Sequence, residues 1–308
     1  MADEFDIVVI GGGIAGLTAG AAAARAGQKT MILIGSALGG HLVTIEKIDG
    51  LPNYPGGVAG YELCPEIQMQ AAEAGAAFAM EEAMALEPLD DGWLVKTPSQ
   101  DYSARAIIFA AGTKLKTLGV PGENRLFGKG VSQCASCDAP LMRGKPVVVV
   151  GGGDSALQEA LTLVPHVSCL TLVTAGAALT GQALYAEPVL ADPKITIRYQ
   201  TTVEEIIGAD GVTAVRVHNS DGAAEDIAAH GVFIFIGLTG NSQLVADKLA
   251  IDPDGRIPVD KSMRTTLPGL FAAGTIRQGT EGRAATSAED GEIAASSAAA
   301  YLKDGIWQ

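Results

Sequence analysis

The chain has 308 residues, a hydrophobic fraction of 48% and a formal net charge of −14. That length and apolar content suffice for two cores of ordinary size, and the acidic balance argues against nucleic acid as a partner, which needs a basic footprint. With 39 glycines and 5% aromatic residues, the composition favours the tight turns and close helix–strand contacts of an α/β protein over an aromatic-rich β-sandwich. No apolar run approaches the ~18 residues that span a bilayer. The acidic opening Met1-Ala2-Asp3-Glu4-Phe5-Asp6 lacks the basic start and apolar stretch of a secretory leader. The expectation is a cytoplasmic protein with no membrane and no nucleic-acid partner.

In chain order, Phe5 to Ile10 reads as a buried strand. It runs into Gly11-Gly12-Gly13-Ile14-Ala15-Gly16, a helix from Leu17 to Ala26, and a second strand from Thr30 to Ile34. The Asp91-Gly92 pair between two short extended runs predicts a hairpin turn. The apolar stretch Ala106 to Phe109, Ala110, Ala111, Gly112 and Thr113 predicts a strand ending at a glycine, and Lys114 to Pro121 a linker. The opening pattern then recurs: Pro146 to Val150, Gly151-Gly152-Gly153-Asp154-Ser155-Ala156, a helix from Leu157 to Leu163, and a strand from Leu170 to Val173. Strands follow near Ile195 to Tyr199, Val212 to His218 and Val232 to Ile236. A second linker is expected around Thr239-Gly240-Asn241, and an alanine-rich helix from Ala284 to Leu302, interrupted by Gly291.

Each repeat is a β-α-β unit of the expected length. The fold class is therefore α/β with two Rossmann-like nucleotide-binding domains, one suited to a flavin and one shaped like a nicotinamide domain. Gly11 permits the tight turn, Gly13 lets backbone approach a pyrophosphate, and Gly16 lets helix pack on strand. The helix N-terminus then offers unpaired N–H groups and partial positive charge to the phosphates. Gly35 or Ser36 stands where an acid often binds a ribose hydroxyl, so that ribose is held differently.

The four cysteines are Cys64, Cys134, Cys137 and Cys169. In a cytoplasmic protein of this size they are no structural disulfide framework. Cys134-Ala135-Ser136-Cys137-Asp138 places two thiols at the start of a helix. There they can close a disulfide, and the helix end lowers a thiolate pKa. Half a zinc site and a pair of small buried residues are the competing readings. His166, His218 and His230 offer no ligand spacing, and no metal is expected. Asp138 beside the dithiol can move the protons that thiol chemistry requires. Cys64 and Cys169 read as packing residues.

Taken together, Gly11–Gly16, Gly39-Gly40, Asn53-Tyr54-Pro55-Gly56, Gly112, Cys134–Asp138, Gly151–Ala156 and Phe271-Ala272-Ala273-Gly274 resemble the low-molecular-weight thioredoxin reductases over essentially the whole chain. The resemblance implies a nicotinamide-type domain inserted within the flavin domain: residues 1–114 and 244–308 for FAD, and 115–243 for the insert. It implies FAD against Gly11, Gly13, Ile14, Ala15 and Gly16, then Gly39, Gly40, His41, Leu42 and Asn53. The remaining FAD positions are Ala111, Gly112, Gly274, Thr275, Arg283 and Ala284. It also implies a homodimer and disulfide exchange with thioredoxin or a similar dithiol protein. By position, Cys137 is the thiol nearer the flavin, Cys134 attacks the partner's disulfide, and Asp138 is the acid/base.

Departures from the family pattern bear on the electron donor. The family's arginine cluster for the 2′-phosphate of NADPH is replaced by Thr174-Ala175-Gly176-Ala177-Ala178-Leu179-Thr180. This stretch has no arginine, and no acid of the kind that serves NADH. Losing such charge-assisted contacts removes about 1.5–3 kcal/mol each. Relatives without these arginines use ferredoxin, so ferredoxin or weakly bound NADPH is the expected donor. Thr275 stands where an aspartate usually meets the ribityl chain, Ala284 replaces a glutamine, Gly240 a proline, and His41 a glutamine. His41 is either a proton donor to the isoalloxazine or a spectator. Lys114, Lys116, Arg125, Lys129, Arg143 and Lys145 outnumber the local acids Glu123 and Asp138, a charge balance that is either a steering patch for an acidic partner or a scattered solvated surface. The expected activity is disulfide reduction through FAD. A flavin-dependent dithiol oxidase and a non-turnover redox sensor are the alternatives.

Overall fold

The computed structural model describes residues 2–220 and 222–307. The outer ends of the expected flavin domain, Met1 and Gln308, lie outside them. The chain divides into two compact units, one running up to Lys114 and resuming at Thr239, the other spanning Leu115–Leu238. The second unit is thus inserted in the first, and the return crossing falls ahead of residue 243. The described helices are α1 (Ile14–Arg25), α2 (Gly60–Glu73), α3 (Glu123–Leu126), α4 (Ala135–Asp138), α5 (Asp154–Leu163), α6 (Ala183–Ala191) and α7 (Ala284–Asp304).

A seven-stranded sheet organises the first unit. Ala77–Ala79, Thr30–Leu33, Asp3–Ile10, Asp101–Phe109, Gly92–Lys96 and Ala85–Leu89 lie side by side, and Leu270–Ala272 also pairs with Asp101–Phe109. Thr30–Leu33 and Asp101–Phe109 run parallel on either side of Asp3–Ile10, with Ile7 opposite both Thr30 and Ala106. Ile7 and Val9 pack on the alanine faces of α1 and α7, whereas Val8 and Ile10 join Leu86, Trp93 and Phe109 on the other side. Burial on both faces is why apolar residues run continuously here instead of alternating. The hairpin expected at Asp91-Gly92 forms one residue earlier. Asp90 and Asp91 make the turn and Gly92 begins the strand.

Contrary to expectation, Gly291 does not interrupt the C-terminal helix, and α7 continues through it. A Cβ at Gly291 would lie 2.3 Å from the Ala15 carbonyl oxygen of α1. The glycine is there because two helix backbones touch, and the surrounding helical residues carry the small propensity loss, about 1 kcal/mol.

The second unit holds an all-parallel sheet, ordered Ile195–Arg198, Cys169–Val173, Pro146–Val150, Gly231–Ile234 and Val131–Ser132. Beside it lies an antiparallel sheet of Thr202–Gly208, Val212–His218 and Ala224–Ala228. Strand alternation divides the core. Val147 and Val149 pack with Leu157 and Ala160 of α5, while Val148 and Val150 pack with Ile206, Val215 and Val217 of the antiparallel sheet. Cys64 is buried, in keeping with a packing role, but Cys169 is exposed. It begins the strand with its side chain outward, so the expectation that it packs is corrected. No described helix is long and apolar enough to cross a membrane.

Candidate functional site

The first unit builds a cradle at the N-terminus of α1. Gly11 has φ 122°, and a Cβ there would lie 2.2 Å from the Ala110 carbonyl oxygen. Only glycine allows that strand-to-helix turn. A Cβ on Gly16 would fall 1.9 Å from the Gly11 oxygen, so Gly16 seats the helix on the turn. Gly13 differs: a Cβ there would meet nothing within 4 Å. It is the N-cap of α1, with no capping side chain. Uncapped N–H groups at the positive end of a helix, facing open space, have the chemistry to take a pyrophosphate. The residues present fit a dinucleotide.

The other expected residues gather around this point to different degrees. Gly39 donates its N–H to the Gly12 carbonyl at 2.9 Å, and a Cβ on Gly40 would lie 3.8 Å from the Gly13 Cα. Gly274 approaches Ala15, with its Cβ position 2.7 Å from that methyl, and Gly112 comes within 3.6 Å of the Thr275 hydroxyl in the same sense. Ile14 and Ala284 share a buried cluster with Leu51 and Leu63, against which Leu42 packs. Ala111 accepts the Asn241 side-chain amide at 2.9 Å. Asn53 is exposed in the turn after Leu51. Arg283, the N-cap of α7, pairs with Glu281 at 3.1 Å. His41 is exposed in the short helical turn that follows Gly39. Desolvation holds its pKa below the ordinary value.

Three features of this cradle were not singled out from sequence. Thr113 Oγ1 donates to Thr275 Oγ1 at 3.1 Å. Asn241 additionally donates its backbone N–H to the Gly112 carbonyl at 3.0 Å. Beneath Gly274, the buried Asp290 accepts from the Gly274 N–H at 3.2 Å and from Arg277 Nε at 2.6 Å. A lone acid on the inner side of an alanine-rich helix was the available signal for that last pair.

In the second unit Cys134 and Cys137 form a disulfide, with Cα atoms 5.4 Å apart. Cys134 is the N-cap of α4, and its Sγ accepts the Cys137 N–H at 3.2 Å. Its own N–H is held by Ser132 Oγ at 3.0 Å, and Ser136 Oγ lies 3.5 Å from Sγ. Cys137 is exposed and Cys134 half-buried, with Asp138 following in the same turn. Donors converging on Cys134 Sγ favour a thiolate there once the bond opens.

The second glycine turn is furnished differently from the first. A Cβ on Gly153 would be 3.8 Å from Thr180 Oγ1. The Thr180 N–H donates to the Gly152 carbonyl at 2.8 Å. Asp154, the first residue of α5, accepts from the Gln182 N–H at 2.6 Å and from Gln182 Nε2 at 2.5 Å. The 174–182 loop therefore folds back on the turn and carries no basic side chain.

The comparisons agree with this architecture. Residues 5–291 match the family model described as pyridine nucleotide-disulphide oxidoreductase. The chain is 37% identical to a thioredoxin reductase of Peptoclostridium litorale, covering 99% of each chain. It is 34% identical to one of Treponema pallidum, covering 98% of each. The solved thioredoxin reductase of Lactococcus lactis superposes with a TM-score of 0.94 at 31% identity, covering 97% of this chain and 99% of that one. A double Rossmann-like fold, a redox-type disulfide and these likenesses along the whole chain together place it in the thioredoxin reductase family, among the flavoprotein disulfide oxidoreductases.

Proposed function

We propose that the protein is an FAD-dependent disulfide reductase. It passes electrons from an external donor through FAD to Cys134–Cys137, and from that dithiol to thioredoxin or a similar small dithiol protein. The observation that carries this reading is the disulfide at the N-terminus of α4, with Cys137 exposed and donors gathered on Cys134 Sγ. Bound FAD supplies two-electron chemistry that side chains lack. Gly11, Gly13, Ile14, Ala15 and Gly16 would hold its pyrophosphate; Gly39, Gly40, Gly112, Gly274 and Thr275 would line the rest.

Two electrons and two protons open the Cys134–Cys137 bond. Asp138 serves as the acid/base for those protons. The Cys134 thiolate then attacks the partner's S–S bond, forming a mixed disulfide and releasing a partner thiolate that takes up a proton. Cys137 attacks Cys134 Sγ, restoring the internal disulfide and freeing the partner as a dithiol. Exposed Arg125, Lys129, Arg143 and Lys145 surround the disulfide in sequence, while Glu123 is buried and accepts from the Leu118 and Gly119 N–H groups. That segment's outward charge supports an acidic partner. The arginine-free 174–182 loop supports reduced ferredoxin, or weakly bound NADPH, as donor. A homodimer in the cytoplasm belongs to the same proposal.

The test is an anaerobic titration of the purified yellow protein with NADPH, NADH and reduced ferredoxin in turn, following flavin bleaching. Bleaching by ferredoxin or by high NADPH is expected. Bleaching by a small dithiol and by none of the three replaces reduction with the dithiol oxidase reading. Cys134→Ser is expected to keep flavin and lose transfer to thioredoxin, and a normal rate of disulfide reduction in that variant refutes the assigned chemistry.

A further inference from the structure

In an open parallel sheet a dinucleotide binds beyond the carboxyl ends of the strands, and an acid near the end of the second strand takes its ribose hydroxyls. Thr30–Leu33 is that second strand here, and its end abuts the first glycine turn. Gly11 and Gly12 donate to the Leu33 and Ile34 carbonyls at 2.8 and 3.2 Å. Yet Gly35 to Gly40 contains no acid. The neighbouring strand brings two to this edge. Ala77–Ala79 runs parallel to Thr30–Leu33, with Ala79 opposite Leu33, so both strands end together. Ile34 then donates to the Ala79 carbonyl at 2.9 Å, and Gly35 to the Glu81 carbonyl at 3.0 Å. These bonds hold Glu81 and Glu82 alongside the place where an acid is missing.

The two glutamates are used differently. Glu81 accepts the Thr97 hydroxyl on one carboxylate oxygen and the Ser99 hydroxyl on the other, which ties it to the loop after Gly92–Lys96. Glu82 is exposed. Gly35 has φ 82°, and a Cβ there would lie 4.0 Å from the Glu82 Cγ. Among the described residues no other atom beyond the chain neighbours of Gly35 comes within that distance. The Glu82 stem therefore lies on the side of Gly35 that a side chain would occupy. A carboxylate at this edge offers two acceptor oxygens to two hydroxyls, and bonds to a charged acceptor are stronger than neutral ones.

We propose that Glu82 is the ribose-binding acid of the first unit: its carboxylate takes the adenosine hydroxyls of the bound dinucleotide, in place of the acid absent after Thr30–Leu33. The ligand class is an adenine dinucleotide with both of those hydroxyls free, because a 2′-phosphate removes a donor and sets like charge against the carboxylate. This rests on the reading of the first unit as the FAD site.

The experiment frees the full-length protein of flavin and reloads it from an equimolar excess of FAD and an FAD analogue carrying 2′,3′-dideoxyadenosine. Unbound flavin is removed, and the two bound flavins are released and quantified by mass spectrometry. Wild type is expected to take up about tenfold more FAD than analogue, the discrimination that a charge-assisted hydrogen bond provides. Glu82→Ala should take up the two in near-equal amounts. Glu82→Gln, which keeps an accepting oxygen and loses the charge, should fall between them. Glu82 is exposed, so the flavin-free variants should melt with wild type, and a change in preference then reports on the ribose. A wild type that takes up both flavins equally, or a Glu82→Ala that keeps the wild-type preference, overturns the proposal. A wild type that takes up neither flavin overturns instead the reading of the first unit as the FAD site, and this inference with it.

Discussion

Replacing Asp290 with alanine removes the carboxylate on which the Gly274 turn rests. Its side chain is 4% exposed and that of its partner Arg277 18%. The variant strands a guanidinium and a backbone N–H that now share Oδ2. Breaking a buried pair by deleting one partner destabilises by about 3–5 kcal/mol. Arg277 retains some access to water, so the lower end, about 3 kcal/mol, applies. For a unit of this size, melting falls by about 2–4 °C per kcal/mol, giving about 6–12 °C. Two units need not melt together, so the assay must report on the first one. Release of flavin on heating, followed by its fluorescence, does so. Asp290→Asn keeps an acceptor and should lose roughly half as much. Glu281→Ala, which breaks the exposed pair with Arg283, should leave the release temperature unchanged because such pairs contribute little. If Asp290→Ala releases flavin at the same temperature as Glu281→Ala, the buried pair does not support the cradle and the reasoning fails.

Two further outcomes follow from the same geometry. Gly13→Ala places a methyl in open space and should leave the melting of flavin-free protein within about 1 °C, while weakening FAD rebinding at least tenfold by obstructing the pyrophosphate. Gly16→Ala drives a methyl into the Gly11 carbonyl and should prevent the first unit from folding, seen as insoluble or flavin-free protein; equal behaviour of the two variants would contradict their assigned roles. Burial pushes the Cys64 thiol up from its ordinary pKa. A raised thiol pKa leaves less thiolate at any pH below it, so at pH 8 iodoacetamide should label exposed Cys169 at least tenfold faster than Cys64 in native protein, as peptide mass spectrometry would show.

The duplicated strand–glycine–helix pattern was legible because it is local. A β-branched run, a turn that only glycine can make and a following helix are dictated by neighbours in sequence, and they specified both Rossmann-like units. Cys134 at a helix start was readable for the same reason. Gly291 was misread because helix propensity is also local, whereas its cause is the Ala15 carbonyl of another helix. Cys169 was misread because a strand boundary does not reveal which face of its first residue is covered. The pairs Asp290–Arg277 and Asp290–Gly274 join residues that meet only after folding, and no spacing rule links a carboxylate to an N–H on a separate element. The sequence by itself determined the chemistry available at each glycine turn and at the cysteine pair. The tertiary structure alone decided which carboxylates come to rest beside them, because burial and partner choice depend on how strands and helices stack rather than on the order of residues along any one of them.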